Sequence, residues 1–147
     1  MVSDADGGPA LFRLVRFWSR RWSTRASAEV TGEMRHVQHI QAVEAVQTAG
    51  QGGEATVNAI AHQLGLDHSG ASRMVRDAAE AGYLVRTESE KDKRRTVVRL
   101  TESGEQLLAG ARNWQRRVFD ELTENWEEQD RAQFAGYLRR LAGELGV

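Results

Sequence analysis

Ser69, Ser72, Arg73 and Arg76 stand at i, i+3, i+4 and i+7. On an α-helix that spacing gathers the four polar side chains on one face. Serine hydroxyls can serve bases or phosphates, and a guanidinium can pair bidentately with guanine. Further along, Glu90-Lys91-Asp92-Lys93-Arg94-Arg95 sets Lys91, Lys93, Arg94 and Arg95 around Asp92. A flexible cationic tip of this kind can reach phosphates or enter a narrow minor groove, whose negative potential attracts arginine. Asp92 lies two residues before Arg94 and can orient that guanidinium rather than cancel it. Each feature alone also suits a bland role: a Ser/Arg face can be a solvated helix side, and a charged tip can protect a sheet edge. Side by side in one short stretch, they are what a winged helix-turn-helix uses to grip a duplex.

The elements that must position these residues follow from the flanking sequence. Thr56 is placed to cap a short helix, Val57 to Leu64, with Ile60, Ala61 and Leu64 apolar. Gly65 stops it. Asp67 or His68 caps the next helix, about 69 to 81, whose Ala71, Val75 and Ala78 face inward, and Gly82 ends it. The gap of about four residues between the two helices is that of a helix-turn-helix. Strands over Leu84–Thr87 and Thr96–Leu100 then flank the polar tip. Upstream, Leu11, Leu14, Val15, Trp18 and Trp22 recur at helical steps over 10–30, after Pro9 and before a break at Thr31-Gly32. A second helix runs from about Met34 to Thr48 with Val37, Ile40, Val43 and Val46 as core contacts, and the glycine-rich 50–53 ends it. Downstream, Thr101 caps a long helix carrying Leu107, Ala111, Trp114, Val118, Leu122 and Trp126. The acidic run Glu127 to Asp130 starts a last helix with Phe134, Leu138, Leu141 and Leu145.

The expected fold is therefore mainly α with a small β-hairpin wing. A winged helix-turn-helix over 34–100 is flanked by dimerisation helices over 10–33 and 101–147. The central domain can bury only one face of the long terminal helices, and a symmetric homodimer is the commonest way to bury the rest. A two-fold dimer also matches DNA half-sites about 34–36 Å apart.

Composition narrows the function classes. The chain has 147 residues, no cysteine and a net charge of -1. Disulfides, thiolate zinc sites and thiol redox sensing are excluded. No long apolar run marks a membrane span and no signal core opens the chain, so a cytoplasmic protein is expected. Charge is uneven: residues 84–99 carry an excess of three positive charges, and 101–147 an excess of three negative ones. A local basic patch on a near-neutral protein can still supply phosphate contacts. No nucleophile is placed beside a base, and the 50–53 glycines are followed by neither G-K-[ST] nor a full G-x-G-x-x-G. Neither an enzyme nor a cofactor is expected. His36 and His39 sit at i, i+3 with no Cys or dense carboxylate set to complete a metal site.

The run L-G-L-x-x-S-x-x-S-R-x-V, then A-G-Y-L-V-R, then D-K-R-R-T-V-V-R-L-T-E-S-G resembles the MarR family of winged-helix transcriptional regulators. It covers Thr56 to Gly104 in register, and Asp92, Arg94, Leu100, Thr101 and Gly104 carry its most specific spacing. The resemblance implies an obligate homodimer on a palindromic operator, with the helix of Arg73 in the major groove and the wing in the minor groove. It implies base or phosphate contact by Ser69, Ser72, Arg73 and Arg76, wing contact by Lys93, Arg94 and Arg95, an orienting role for Asp92, and phosphate contact by Thr56. The Arg76-Asp77 order departs from relatives that place the acid first. Many relatives bind small aromatic or anionic effectors near the first two helices, where Arg16, Trp18, Trp22, His36 and His39 lie. The implied function is a dimeric repressor relieved by such a ligand. The alternative is a winged-helix protein-interaction module without specific DNA binding.

Overall fold

A computed structural model of the chain describes residues 6–28 and 32–147, with side chains described over 6–19 and 36–147. The element order is α1 (Gly8–Ala28), α2 (Gly32–Gln51), α3 (Val57–Leu64), α4 (His68–Glu80), β1 (Leu84–Glu88), β2 (Thr96–Leu100), α5 (Glu102–Leu122) and α6 (Glu128–Leu145). The chain divides into two units, residues 1–37 and 38–147.

In the first unit, α1 begins earlier than its apolar pattern indicates and takes Pro9 into its first turn. Proline is tolerated there because the first-turn N–H has no intrahelical partner to lose. Leu11, Phe12, Leu14, Val15, Phe17 and Trp18 are all exposed, and the Phe17 and Trp18 rings meet edge to face at 6.0 Å. Thr31 and the side chains of Arg20, Arg21 and Trp22 lie outside the described residues; Gly32, expected in the break, opens α2.

The second unit is built around small side chains. Val43 and Val46 of α2 are buried as the periodicity indicates, and Ala42 and Ala45 are buried beside them. Alanine on a helix face lets neighbouring backbones approach closely. Ile60, Val75, Ala78, Leu84, Val98 and Leu108 complete the cluster, so every element from α2 to α5 contributes.

Helix ends are set by identifiable chemistry. Thr56 accepts from the Ala59 N–H at 3.2 Å and Asp67 from the Gly70 N–H at 2.7 Å. Asp67, not His68, is thus the cap of α4; the His68 ring instead pairs its Nδ1 with Asn58 Oδ1 at 2.7 Å. Gly65 adopts φ +64°, and the Leu66 N–H returns to the Ala61 carbonyl at 3.0 Å. This left-handed stop turns the chain from α3 into α4 within a few residues, and a β-carbon would oppose it.

The hairpin pairs Leu84 with Leu100 and Glu88 with Thr96 in antiparallel register. Val97 and Val98 are consecutive yet both buried, although neighbours on a strand point to opposite faces. Ala55 lines the outer edge of β2, where the Val98 N–H donates to its carbonyl at 2.9 Å. The segment before α3 thereby fastens the root of the hairpin to the helix-turn-helix.

The start of α5 is clamped to the exit of α4. Thr101 caps α5 by accepting from the Gly104 N–H at 3.1 Å, and its hydroxyl donates to the Gly82 carbonyl at 2.6 Å. Its N–H donates to the Tyr83 carbonyl at 3.0 Å. A β-carbon on Gly104 would lie 2.1 Å from that same carbonyl oxygen. The L-T-x-x-G spacing is thus a close backbone approach with a hydroxyl clamp beside it.

Candidate nucleic-acid interface

Helix α4 separates its two faces cleanly. Ala71, Val75 and Ala78 are fully buried. On the other side Ser69, Arg73 and Arg76 are exposed and Ser72 is half-buried. Gly70 and Ala71 keep the first turn slim, and a β-carbon at Gly70 would meet Asp67 Oδ1 at 2.8 Å. Arg76 is loosely held by its neighbour, with Nε 3.8 Å from Asp77 Oδ1. Arg73 has no carboxylate partner among the described residues. Exposed pairs of the Arg76 type contribute little, about 0–1 kcal/mol, and do not prevent a phosphate from displacing the carboxylate. Thr56 is half-buried at the head of α3, its hydroxyl already accepting the capping bond.

The wing holds Asp92 at its centre. Its Oδ1 accepts from the Arg94 N–H at 3.1 Å and lies 3.5 Å from Arg94 Nε, while Oδ2 lies 4.0 Å from Arg95 Nε. One carboxylate therefore faces both arginines, and the Arg94 side chain remains 93% exposed. Lys93 and Arg95 are exposed as well. Arg99 leans on Glu90 across the hairpin at 3.8 Å. These distances can orient guanidinium groups but are too exposed to neutralise them in water.

Two residues belong to this surface that the sequence reading passes over. Arg86 on β1 donates from Nη2 to the Ser72 carbonyl at 3.4 Å, a long bond joining the hairpin to the reading helix. Ser89 is 2% exposed inside the polar tip. Its only sequence signal is a serine three residues before an aspartate, the spacing of a side-chain-closed turn.

The candidate effector residues fall in different places. Arg16 and Trp18 are exposed on α1, and His36 is exposed on α2, all in the first unit. Trp22 lies on α1 with its side chain outside the described residues. His39, in the second unit, packs its ring against Tyr83 at 5.4 Å. A cleft of about 510 Å³ in the second unit lies elsewhere, between the end of α2, β2 and the start of α5. No three His, Cys, Asp or Glu side chains gather as a metal site among the described residues.

Comparison with known proteins bears on the lobe that carries this surface. The MarR family model matches residues 36–95. That match spans the helix-turn-helix and the wing as far as its tip, less than half of the chain. The family comprises transcription regulators rather than enzymes. Among solved structures, a MarR family protein from Bacillus stearothermophilus superposes with TM-score 0.65 at 17% identity, covering 99% of this chain and 100% of that one. Streptococcus pneumoniae FabT, solved in complex with DNA, gives 0.64 at 14% identity over 95% and 97%. The S. aureus MepR–DNA complex gives 0.55 at 19% identity over 93% and 98%. At these identities the likeness is one of fold. No curated protein matches the sequence. The family match ends at Arg95, short of β2 and the Thr101–Gly104 clamp. No helix among the described residues is long and apolar enough to cross a membrane.

Proposed function

We propose that the chain is a cytoplasmic, homodimeric, sequence-specific DNA-binding transcription regulator, acting as a repressor at palindromic promoter sites and relieved by a small aromatic or anionic ligand. The observation that carries the reading is one lobe that offers both a capped helix with an exposed Ser/Arg face and a wing whose exposed Arg94 is oriented by Asp92. Helix α4 reads the major groove through Ser69, Ser72, Arg73 and Arg76. The wing reaches the minor groove through Arg94, with Lys93, Arg95 and Thr56 on phosphates. FabT and MepR, which share this fold, have been solved in complex with DNA, which supports the same docking here.

The dimer is built from α1, α5 and α6. Trp114, Leu122, Trp126, Leu138, Leu141 and Leu145 are all exposed in the single chain, and so much apolar surface on terminal helices calls for a second copy. A ligand near α1 and α2 acts by differential affinity for two arrangements of the paired reading heads.

The test is a titration of DNA from upstream of the gene at several salt concentrations. Binding weakens steeply with salt. Arg94→Ala weakens it across many sequences and lowers the salt slope by about one, while Arg73→Ala also relaxes preference at particular base pairs. Unchanged affinity in both variants would refute these roles. Absence of any retardation at low salt would favour a protein-interaction module instead.

A further inference from the structure

The hydroxyl of Ser89 is saturated. It has one proton and two lone pairs; the proton goes to Glu54 Oε2, and the lone pairs take the N–H groups of Lys91 at 3.1 Å and Asp92 at 3.0 Å. The Ser89 N–H donates to the Arg95 carbonyl at 2.9 Å, and the Arg95 N–H to the Asp92 carbonyl at 2.9 Å. Ser89 thus closes the tip of the wing through side chain and backbone together.

Glu54 anchors the other end. Its carbonyl accepts from the Thr56 N–H at 3.0 Å, its neighbour Ala55 receives β2, and Thr56 caps α3. The Glu54–Ser89 bond spans 35 positions of sequence. Hydrogen bonds therefore run continuously from the root of α3 through Glu54, Ser89 and Asp92 to Arg94.

We propose that Ser89, held by Glu54, is a positioning residue for DNA binding: it fixes the wing conformation that presents Arg94 and does not itself touch DNA. The proposal rests on the DNA-binding reading above. The Arg94–Asp92 pair is too exposed to hold the wing by itself. What fixes the Asp92 carboxylate is its own backbone, and that backbone is tied to the buried Ser89 hydroxyl. A wing without this tie must be ordered when DNA arrives, and the ordering entropy is subtracted from affinity.

The experiment is an anisotropy titration of the full chain with duplex DNA from upstream of its gene, at salt from about 50 to 200 mM. Ser89→Ala raises Kd about three- to tenfold, the range of one or two net hydrogen bonds. The rise is the same at every salt concentration, because no phosphate contact is removed. Arg94→Ala instead lowers the slope. In the Arg94→Ala background, Ser89→Ala has little further effect, since the two act as one unit. Glu54→Gln keeps an acceptor for the serine proton and binds like the parent, while Glu54→Ala behaves like Ser89→Ala. If Ser89→Ala melts below the assay temperature, the two Glu54 variants give the same comparison. A parent that binds DNA while Ser89→Ala and Glu54→Ala bind equally well overturns this proposal alone, as does an additive loss in the Arg94→Ala background. A parent that binds no DNA at low salt overturns the underlying reading and this one with it.

Discussion

Adding one methyl group at Gly104 should loosen the joint between the reading head and the long helix behind it. The new β-carbon of Gly104→Ala would sit 2.1 Å from the Tyr83 carbonyl oxygen, 3.1 Å from its carbon and 3.4 Å from Leu100 Cβ. The nearest obstacle is backbone, so no rotamer change relieves it. The oxygen cannot retreat freely, because it accepts the Thr101 N–H at 3.0 Å, and the Thr101 hydroxyl is engaged with Gly82 next door. Opening the joint by about 1 Å sacrifices both bonds, about 1 kcal/mol each, and adds an overpacking cost of about 1–3 kcal/mol. The helix propensity gained on replacing glycine offsets up to about 1 kcal/mol. The net is about 2–4 kcal/mol. At roughly 3–4 °C per kcal/mol for a chain of this length, Tm falls by about 6–16 °C. Melting followed by circular dichroism at 222 nm reads this directly. Gly110→Ala is the control: it lies on the same helix with nothing within 4 Å of the added carbon, so propensity alone should raise its Tm by about 3 °C. If Gly104→Ala melted at or above the parent, the close approach would not exist and the clamp argument would fail.

Asp67→Ala removes the side-chain cap of α4, a bond of 2.7 Å to the Gly70 N–H. Its loss costs about 1 kcal/mol and lowers Tm by about 3–4 °C; an unchanged melt would mean the cap is redundant. Leu141→Glu places a charge on the exposed α6 face shared with Leu138 and Leu145. Burial of one leucine contributes about 1.5–3 kcal/mol, and two-fold symmetry loses it twice. For the proposed dimer the dissociation constant should rise by roughly 10²–10⁴ in sedimentation velocity, and an unmoved constant, or a monomeric parent, would exclude this face as the interface.

What was legible in the sequence was whatever has a local chemical cause. Thr56, Gly65 and Thr101 fix helix ends by caps and a left-handed turn, so the bounds of α3 and β2 follow from single residues. The Asp92–Arg94 contact was legible because an acid two residues before a base on a hairpin tip lies within its reach. Three features were not. The face of α2 was read from its valines, but Ala42 and Ala45 bury as fully, and alanine carries too little hydrophobic contrast to mark a face. On α5, Gly104 and Leu108 are buried with Ala111, whereas Trp114 further along the same stripe is exposed; a stripe signals burial without saying against what. Ser89 was invisible because a serine amid Glu, Lys and Asp looks solvated, and only the distant Glu54 makes it otherwise.

The Thr101–Gly104 clamp makes the long helix a lever with the reading head welded to its short end. Helix α5 has 21 residues, about 31 Å at 1.5 Å per residue. A tilt of about 5° moves one end by about 2.7 Å relative to the other. The joint is held by two hydrogen bonds from Thr101, to the Tyr83 and Gly82 carbonyls, and by the close backbone approach at Gly104. A tilt of α5 would therefore act first on Gly82 and Tyr83, the residues that follow α4, through the two bonds of Thr101.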